Sequence, residues 1–396
     1  MLLPEGVPPR GAVPRLPSPC TRSVDMSREE YVLSLRTTSL VRGLGAISLL
    51  ALPLLTPQVA QATKFAGSFM ADGGGARALA MGSAFVAVAD DASASFWNPA
   101  GLLDLPGRQL VVMHSERFGD LIDRDFVSYA QPLRGEPGSW RDGAFGVSVI
   151  HLAVDDIPFT EHIDLDGADG SVPDGTISEA EALSLLDPLY FDQIRFETDR
   201  ELAFLVSYAR QTGDWQVGGN VKIIRQSVGN YSSFGLGIDL GALRRDWWRR
   251  LDVGVKLQDG TATYLGWDTG RNETIAPVLT PGASYDWSFP RANFDLTAAG
   301  AFEMHFDGRG NAVDQFGYQS WGGIFEDVTA NLFLGIEATF SQRAHLRFGS
   351  HGGFDAQDLT FGAGLDLYGF RVDYAHAGDV LEIDESTHRV SLGFDF

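Results

Sequence analysis

From about residue 108 onward, apolar and polar positions alternate with a period of two. In Phe234-Gly235-Leu236-Gly237-Ile238-Asp239-Leu240-Gly241 one face is apolar and the other is tiny or acidic. The same alternation runs through Leu359-Thr360-Phe361-Gly362-Ala363-Gly364-Leu365-Asp366-Leu367 and Phe370-Arg371-Val372-Asp373-Tyr374. Successive side chains of a strand point to opposite faces, so such runs predict β-strands with one apolar face. Fourteen are expected, near 108–117, 124–133, 142–153, 199–210, 214–226, 232–242, 251–258, 277–288, 292–305, 329–340, 343–351, 358–367, 369–376 and 387–396. The alternation does not by itself name a solvent, because a soluble sandwich hides its apolar face inside.

Connection lengths do discriminate. Numbered along the chain, the even connections are short: Gln211–Gly213, Pro290–Arg291, Ser341–Gln342 and a tight turn near Tyr368. The odd ones include the long loops 154–198, 259–276, 306–328 and 377–386. An even strand number, with short turns on one side and long loops on the other, is the pattern of a transmembrane barrel with both termini in the periplasm. The fold class is therefore all-β: a 14-stranded antiparallel transmembrane β-barrel in a bacterial outer membrane, with lipid as its surroundings. The last strand adds a second signal. Phe396, Phe394, Leu392 and Val390 alternate back from the end, and a terminal Phe on such a strand resembles the signal read by outer-membrane assembly machinery.

Composition narrows the picture further. The 396 residues carry 30 basic and 52 acidic side chains, net -22, which argues against nucleic acid as a partner because phosphate binding needs a basic surface. One cysteine excludes a disulfide framework and Cys-rich metal sites. Residues 43–55 form an apolar run preceded by Arg36 and Arg42 and followed by Ala60-Gln61-Ala62. That is the build of a signal peptide, with cleavage expected after Ala62 and Met26 as a candidate true start. Residues 1–62 then form a leader that contains Cys20, and the remaining chain has 24 basic and 48 acidic residues.

Residues 63–107 are rich in small side chains and neither strand-like nor helical over any length. They include Gly73-Gly74-Gly75-Ala76-Arg77-Ala78-Leu79-Ala80-Met81-Gly82 and Asp90-Asp91-Ala92-Ser93-Ala94-Ser95-Phe96-Trp97-Asn98-Pro99-Ala100-Gly101-Leu102. The glycines are not a phosphate cradle, since no strand precedes them and no Lys-Ser or Lys-Thr follows. These two runs resemble the opening of the PorV/PorQ family, which is related to the FadL-type (OMPP1/FadL/TodX) transport barrels. Gly369 through Ala375 and Thr387 through Phe394 resemble that family's last hairpin. The resemblance implies that residues 63–107 fold into the lumen of the barrel 108–396 as a plug or hatch; a periplasmic tail is the alternative. Gly75, Gly82 and Gly101 would allow close backbone approach in a crowded lumen, and Asn98-Pro99 would fix a turn. Arg77, Asp90 and Asp91 are the charged members of the segment.

Parity assigns the lumen face. With Val390, Leu392, Phe394 and Phe396 toward lipid, Arg389, Ser391 and Asp395 face inward; Arg371, Asp373, Asp366, Arg347 and Glu337 follow on the four preceding strands. Buried charges need partners, so a ladder of ion pairs is expected there. It reads either as a satisfied barrel interior or as a polar wall that binds the plug or a headgroup, with Arg371 and Asp395 both near the periplasmic rim.

Loop 154–198 holds twelve acids and one base between Val154 and Glu197. Within it Asp164, Asp166, Asp169 and Asp174 with their glycines resemble a calcium loop. Ala168 stands where an EF-hand acid belongs, and a solvated acidic loop is the alternative. No other cofactor is implied. Ser178 with Glu181 reads as a capping box opening a helix to about Leu186. Trp247-Trp248-Arg249-Arg250 reads as an interface belt in a periplasmic turn. No enzyme motif is present: no His-Glu-x-x-His, Gly-x-Ser-x-Gly or Walker run. Two functions follow from the resemblance. FadL-like barrels imply passive passage of fatty-acid-like hydrophobic small molecules through a plugged lumen; PorV/PorQ proteins imply a scaffold or shuttle for protein-secretion partners.

Overall fold

The alternating segments pair into a single sheet that closes on itself. The computed structural model describes residues 67–117, 121–159, 194–306, 319–320, 329–353, 357–377 and 387–396. Its strands are β1 (Gln109–Arg117), β2 (Ile122–Pro132), β3 (Ala144–Phe159), β4 (Arg195–Thr212), β5 (Trp215–Val228), β6 (Tyr231–Trp248), β7 (Leu251–Gln258), β8 (Thr263–Trp267), β9 (Asn272–Ile275), β10 (Val278–Phe289), β11 (Phe294–His305), β12 (Gln319–Ser320), β13 (Thr329–Phe340), β14 (Ala344–Gly352), β15 (Gln357–Leu367), β16 (Phe370–Ala377) and β17 (Thr387–Asp395). Leaving out β8, β9 and β12, fourteen strands form the wall, each antiparallel to its two neighbours. The seam closes where β1 pairs with β17, from Gln109↔Asp395 to Glu116↔His388. Closure leaves no unpaired edge, which is what hydrocarbon requires of a sheet.

Exposure agrees with the sidedness read from loop lengths and parity. Leu236, Ile238, Leu240, Leu334, Ile336, Leu346, Phe348, Phe361, Leu365, Val390 and Leu392 are all exposed on the outside of the wall. Their strand neighbours Asp239, Glu337, Arg347, Asp373, Arg389 and Ser391 are buried in the lumen. An apolar exterior around a charged interior is the inverse of a water-soluble barrel.

The short connections are tight because their backbones turn left-handed. Tyr368 and Gly369 (φ 51° and 87°) and Arg249 and Arg250 (47° and 68°) are two-residue turns with both central residues at positive φ, and the three-residue connection 341–343 opens the same way with Ser341 and Gln342 (51° and 55°), the geometry that matches strand twist. Exposed Trp215, Trp247, Trp248, Trp287, Phe289, Phe340 and Phe370 lie within a few residues of these turns or of the connections at 213–214 and 290–293, an aromatic girdle at one end of the barrel.

Three details depart from the sequence expectation. β3 and β4 run to Phe159 and from Arg195, so the loop between them is shorter than 154–198. Their pairing continues beyond a register shift at Val154/Ile157, with Asp156 at φ 58°. β6 runs to Trp248 instead of ending at 242, which puts Trp247 and Trp248 on the strand end. The loop expected at 259–276 contains β8 and β9, where β8 takes over from β7 as the partner of β6. Residues 259–262 form a bend between β7 and β8, with Asp259 and Ala262 at positive φ.

Candidate functional site

The lumen is filled by residues 67–107. Two short helices, α1 (Ala76–Ala80) and α2 (Ala94–Trp97), and 3-10 turns at Ser68–Met70 and Pro99–Asp104 give the segment its path. Its small residues are what let it fit. Gly82 (φ +60°) lies directly against Ser350 and Leu334, and a β-carbon on Gly349 would overlap the backbone of Met81 and Gly82. Glycine is the residue that permits two backbones to come this close. Gly101 is packed on the Ala89 carbonyl, and Gly75 (φ +89°) precedes α1 against Ser93. Asn98 is fully buried. Its amide donates to the carbonyls of Val86 (2.8 Å) and Ala242 (3.2 Å), and its Oδ1 accepts from Ala100 N (3.2 Å). One side chain therefore caps the turn that begins at Pro99 and fastens it to the wall.

Arg77 is the electrostatic centre of the plug. Its Nε and Nη2 each donate to Glu337 at 2.9 Å in a fork, and its Nη1 donates to Asp90 (2.5 Å) and Asp91 (3.3 Å). Burial by itself would lower its pKa, but Asp90 and Glu337 hold it well above the usual arginine value. Asp91 also accepts from the Ser93 amide at 2.9 Å, fixing the turn into α2. Glu337 is shared. Arg347 donates to it from Nε at 2.6 Å and to Asp373 from Nη1 at 2.6 Å. Glu337 and Arg347 are direct cross-strand partners. Arg347 and Asp373 are not, because β15 runs between them. The reach is open because Gly364 stands there, and a β-carbon at that position would run into Asp373 Oδ1 and Arg347 Nη1. Arg371 bonds Asp366 (2.7 Å), whose other oxygen is 3.1 Å from His345 Nε2.

The structure thus brings Arg77, Asp90, Asp91, Glu337, Arg347 and Asp373 into one network and Asp366 with Arg371 into a neighbouring pair. Arg389 is buried in the lumen. Asp395 shares the parity of Arg389 and Ser391 and stands exposed at the end of β17, at the rim. With Arg371 it borders a crevice of about 20 Å³ between plug and wall, roughly the room of one water. The loop acids Asp164, Asp166, Asp169 and Asp174, the helix expected at 178–186 and the leader lie outside the described residues.

Two anchors were missed. Arg245 donates to Asp104 (2.7 and 2.9 Å), Asp252 (2.9 Å) and the carbonyls of Ala87, Val88 and Ala89. Extending the alternation of Phe234–Gly241 by two more pairs would have found it on the lumen face. Lys222 is buried with Asp239 at 2.9 Å and Asp259 at 2.7 Å. That pair holds the bend at 259–262 inward, and the bend had no periodic signal to reveal it.

The rest of the plug is apolar. Phe69, Met70, Met81, Phe85, Phe96, Trp97 and Leu102 form one cluster with the inward-facing wall residues Phe126, Ile150, Leu205, Ile224, Leu265 and Phe333. Trp97 stands edge-on to both Phe85 and Phe96 and donates its indole N–H to the Gly74 carbonyl at 2.7 Å.

No family model matches the chain, and no curated protein matches it. Among solved structures it is similar to the toluene transporter TbuX of Ralstonia pickettii (13% identity, 82% of this chain and 99% of that one, TM-score 0.47). It is also similar to the toluene transporter TodX of P. putida (13%, 82% and 99%, TM-score 0.49) and the outer membrane protein Omp33 of Acinetobacter baumannii (8%, 73% and 98%, TM-score 0.36). The chain is a bacterial outer-membrane β-barrel. Identities this low leave its function to be read from its own lumen.

Proposed function

We propose that the protein passes hydrophobic small molecules across the outer membrane through its plugged lumen. The observation that carries this reading is the apolar lining beneath the plug: Phe126, Ile150, Leu205, Ile224, Leu265 and Phe333 point inward and are buried against it. A water-filled pore is lined by polar side chains, and six large apolar groups facing its axis would oppose wetting. An apolar solute replaces plug contacts at that wall without stranding polar groups. The seal is made by residues that could reform it after each passage: a few ion pairs set among glycine and alanine contacts.

The reading is tested with cells expressing the full protein and with liposomes carrying it. Uptake of a labelled long-chain fatty acid and of toluene is compared with vector controls, beside liposome swelling in small sugars. Accelerated uptake of an apolar solute without sugar-driven swelling is the expected result. Swelling in sugars with no gain for either apolar solute would replace the proposal with a general porin. Unchanged permeability to all solutes, joined to a loss of secreted proteins on deletion of the gene, would replace it with the scaffold role.

A further inference from the structure

The outward face of the wall changes chemistry at its short-turn end. Along β4, β5 and β6 the outward positions are apolar and exposed, as at Phe204, Val206, Val221, Ile223 and Ile238. Toward the turns the same faces carry Arg210, Trp215 and Arg244. Their strand neighbours Ala209, Gln216 and Leu243 are buried in the lumen, so these three side chains stand on the outside, at the level of the aromatic girdle. Trp215 is opposite Thr212 and therefore diagonal to Arg210, within reach of a long side chain. On its other flank the Arg244 guanidinium lies 5.9 Å from the centre of its ring. Two more such pairs sit at this end: Arg249 over Trp248 at 5.4 Å in the β6–β7 turn, and Arg141 over Trp140 at 5.0 Å between β2 and β3. Tyr208 ties the latter connection to β4 by donating its hydroxyl to the Trp140 carbonyl at 2.8 Å. The positive charge is only partly answered. Arg244 donates to Asp214 at 3.0 Å, but that carboxylate is 77% exposed, and such a pair contributes little. Arg210, Arg249 and Arg250 are exposed and, among the described residues, have no ion pair. Segments 133–143, 210–215 and 244–250 together hold seven arginines against four carboxylates, in a chain of net charge -22.

Arginine beside exposed tryptophan, at the margin of a lipid-facing apolar wall, selects its neighbour. Tryptophan rings settle at the headgroup level of a bilayer. A guanidinium lying on such a ring keeps its N–H edge free, and that edge meets phosphate oxygens with paired, charge-assisted bonds. We infer that the short-turn end of β4–β6 is a binding site for the headgroup of an anionic phospholipid, with Arg210 and Arg244 on either side of Trp215 as its centre. The phosphate takes the two guanidinium groups, and the acyl chains run along the exposed Val221 and Ile223 further up β5. A zwitterionic choline lipid offers the same phosphate but ends in a cation, which the surrounding arginines repel. The surface therefore discriminates by the net charge of the headgroup.

The test uses the full chain refolded into vesicles of phosphatidylcholine with a rising fraction of phosphatidylglycerol, one lipid at a time carrying brominated chains. Bromine quenches tryptophan on contact, and five of the eight tryptophans, Trp140, Trp215, Trp247, Trp248 and Trp287, are exposed at this end. The ratio of the two quenching curves gives the relative affinity for the two lipids. A preference for phosphatidylglycerol of about fivefold or more is expected, the effect of one cation beside an anionic membrane surface. Arg210→Gln with Arg244→Gln brings the ratio close to one. Arg195→Gln with Arg271→Gln removes the same charge at the loop end and leaves the preference in place. If the first pair does not refold, judged by heat-dependent gel migration, Arg210→Gln alone, which breaks no ion pair, carries the comparison with a smaller drop in the same direction. Excess inorganic phosphate at constant ionic strength does not displace the lipid. The inference is overturned if the wild type shows no preference, if the Arg210 variants keep it, if the loop-end pair loses it equally, or if free phosphate abolishes it. The site does not depend on transport: a protein that prefers anionic lipid but fails every uptake assay would retain it and lose only the transport reading.

Discussion

Replacing Glu337 with alanine removes the carboxylate on which plug and wall converge. Arg77 loses two bonds of 2.9 Å and Arg347 loses one of 2.6 Å. Both guanidinium groups stay in place, with side chains 12% and 0% exposed. Stripping one partner from a buried pair costs about 3–5 kcal/mol. Asp90 and Asp91 still serve Arg77, and Asp373 still serves Arg347, so the lower end, about 3 kcal/mol, is expected. The loss falls on the plugged state, because releasing the plug rehydrates Arg77 while the fourteen-stranded wall keeps its backbone hydrogen bonds. About 3 kcal/mol moves the open-to-closed ratio roughly 150-fold. Planar-bilayer recording reads this directly: Glu337→Ala should show frequent transient openings that the wild type lacks. A double-mutant cycle with Arg77→Met should give a coupling of about 1–3 kcal/mol. Glu116→Gln, on an exposed outward side chain, should stay within about 0.5 kcal/mol of wild type. Wild-type conductance and wild-type stability in Glu337→Ala would refute the latch.

Other consequences are equally direct. Gly349→Val should prevent plug docking and yield a folded but leaky barrel, since its β-carbon would occupy the backbone of Met81–Gly82; leak currents close to wild type would contradict that packing. Leu236→Arg, on the lipid face, should destabilise the barrel by about 2–4 kcal/mol if it lies near the bilayer midplane, whereas a soluble-type surface would tolerate it; urea unfolding in vesicles decides. The Asp72 carboxyl is held below its ordinary pKa, so its contribution is full above about pH 4 and is lost as pH falls through the depressed folded value. The acid sensitivity of plug docking, followed by protease access, should therefore diminish in Asp72→Asn.

How much of this was legible follows from what each feature depends on. Strand positions, strand number and the lumen face come from a period of two and from loop lengths, both written along the chain. Glu337, Arg347, Asp366, Arg371 and Asp373 were placed inside by parity alone. Their partners were not legible, because pairing depends on register and on what is missing between strands: Arg347 reaches Asp373 only across Gly364. Arg245 is hidden by ending β6 at 242; the strand runs on to Trp248, and its extension carries Arg245 to the plug carbonyls. The bend at 259–262 could not be read at all. It breaks the alternation locally and is held by Lys222, a residue distant in sequence.

The central claim is that hydrophobic solutes enter by displacing the plug from an apolar wall, and a reversible tether tests it most directly. Ser95 on the plug and Ser128 on β2 hold their hydroxyl oxygens 3.3 Å apart, so Ser95→Cys with Ser128→Cys adds no β-carbon and places two sulfurs where a small shift closes the bond of about 2.05 Å between plug and wall. Uptake of a labelled long-chain fatty acid or toluene is measured in cells carrying this pair, oxidised and then reduced. The account predicts uptake at the vector background when oxidised and recovery on reduction. Equal uptake in both states, with the bridge verified by mass spectrometry, would contradict it.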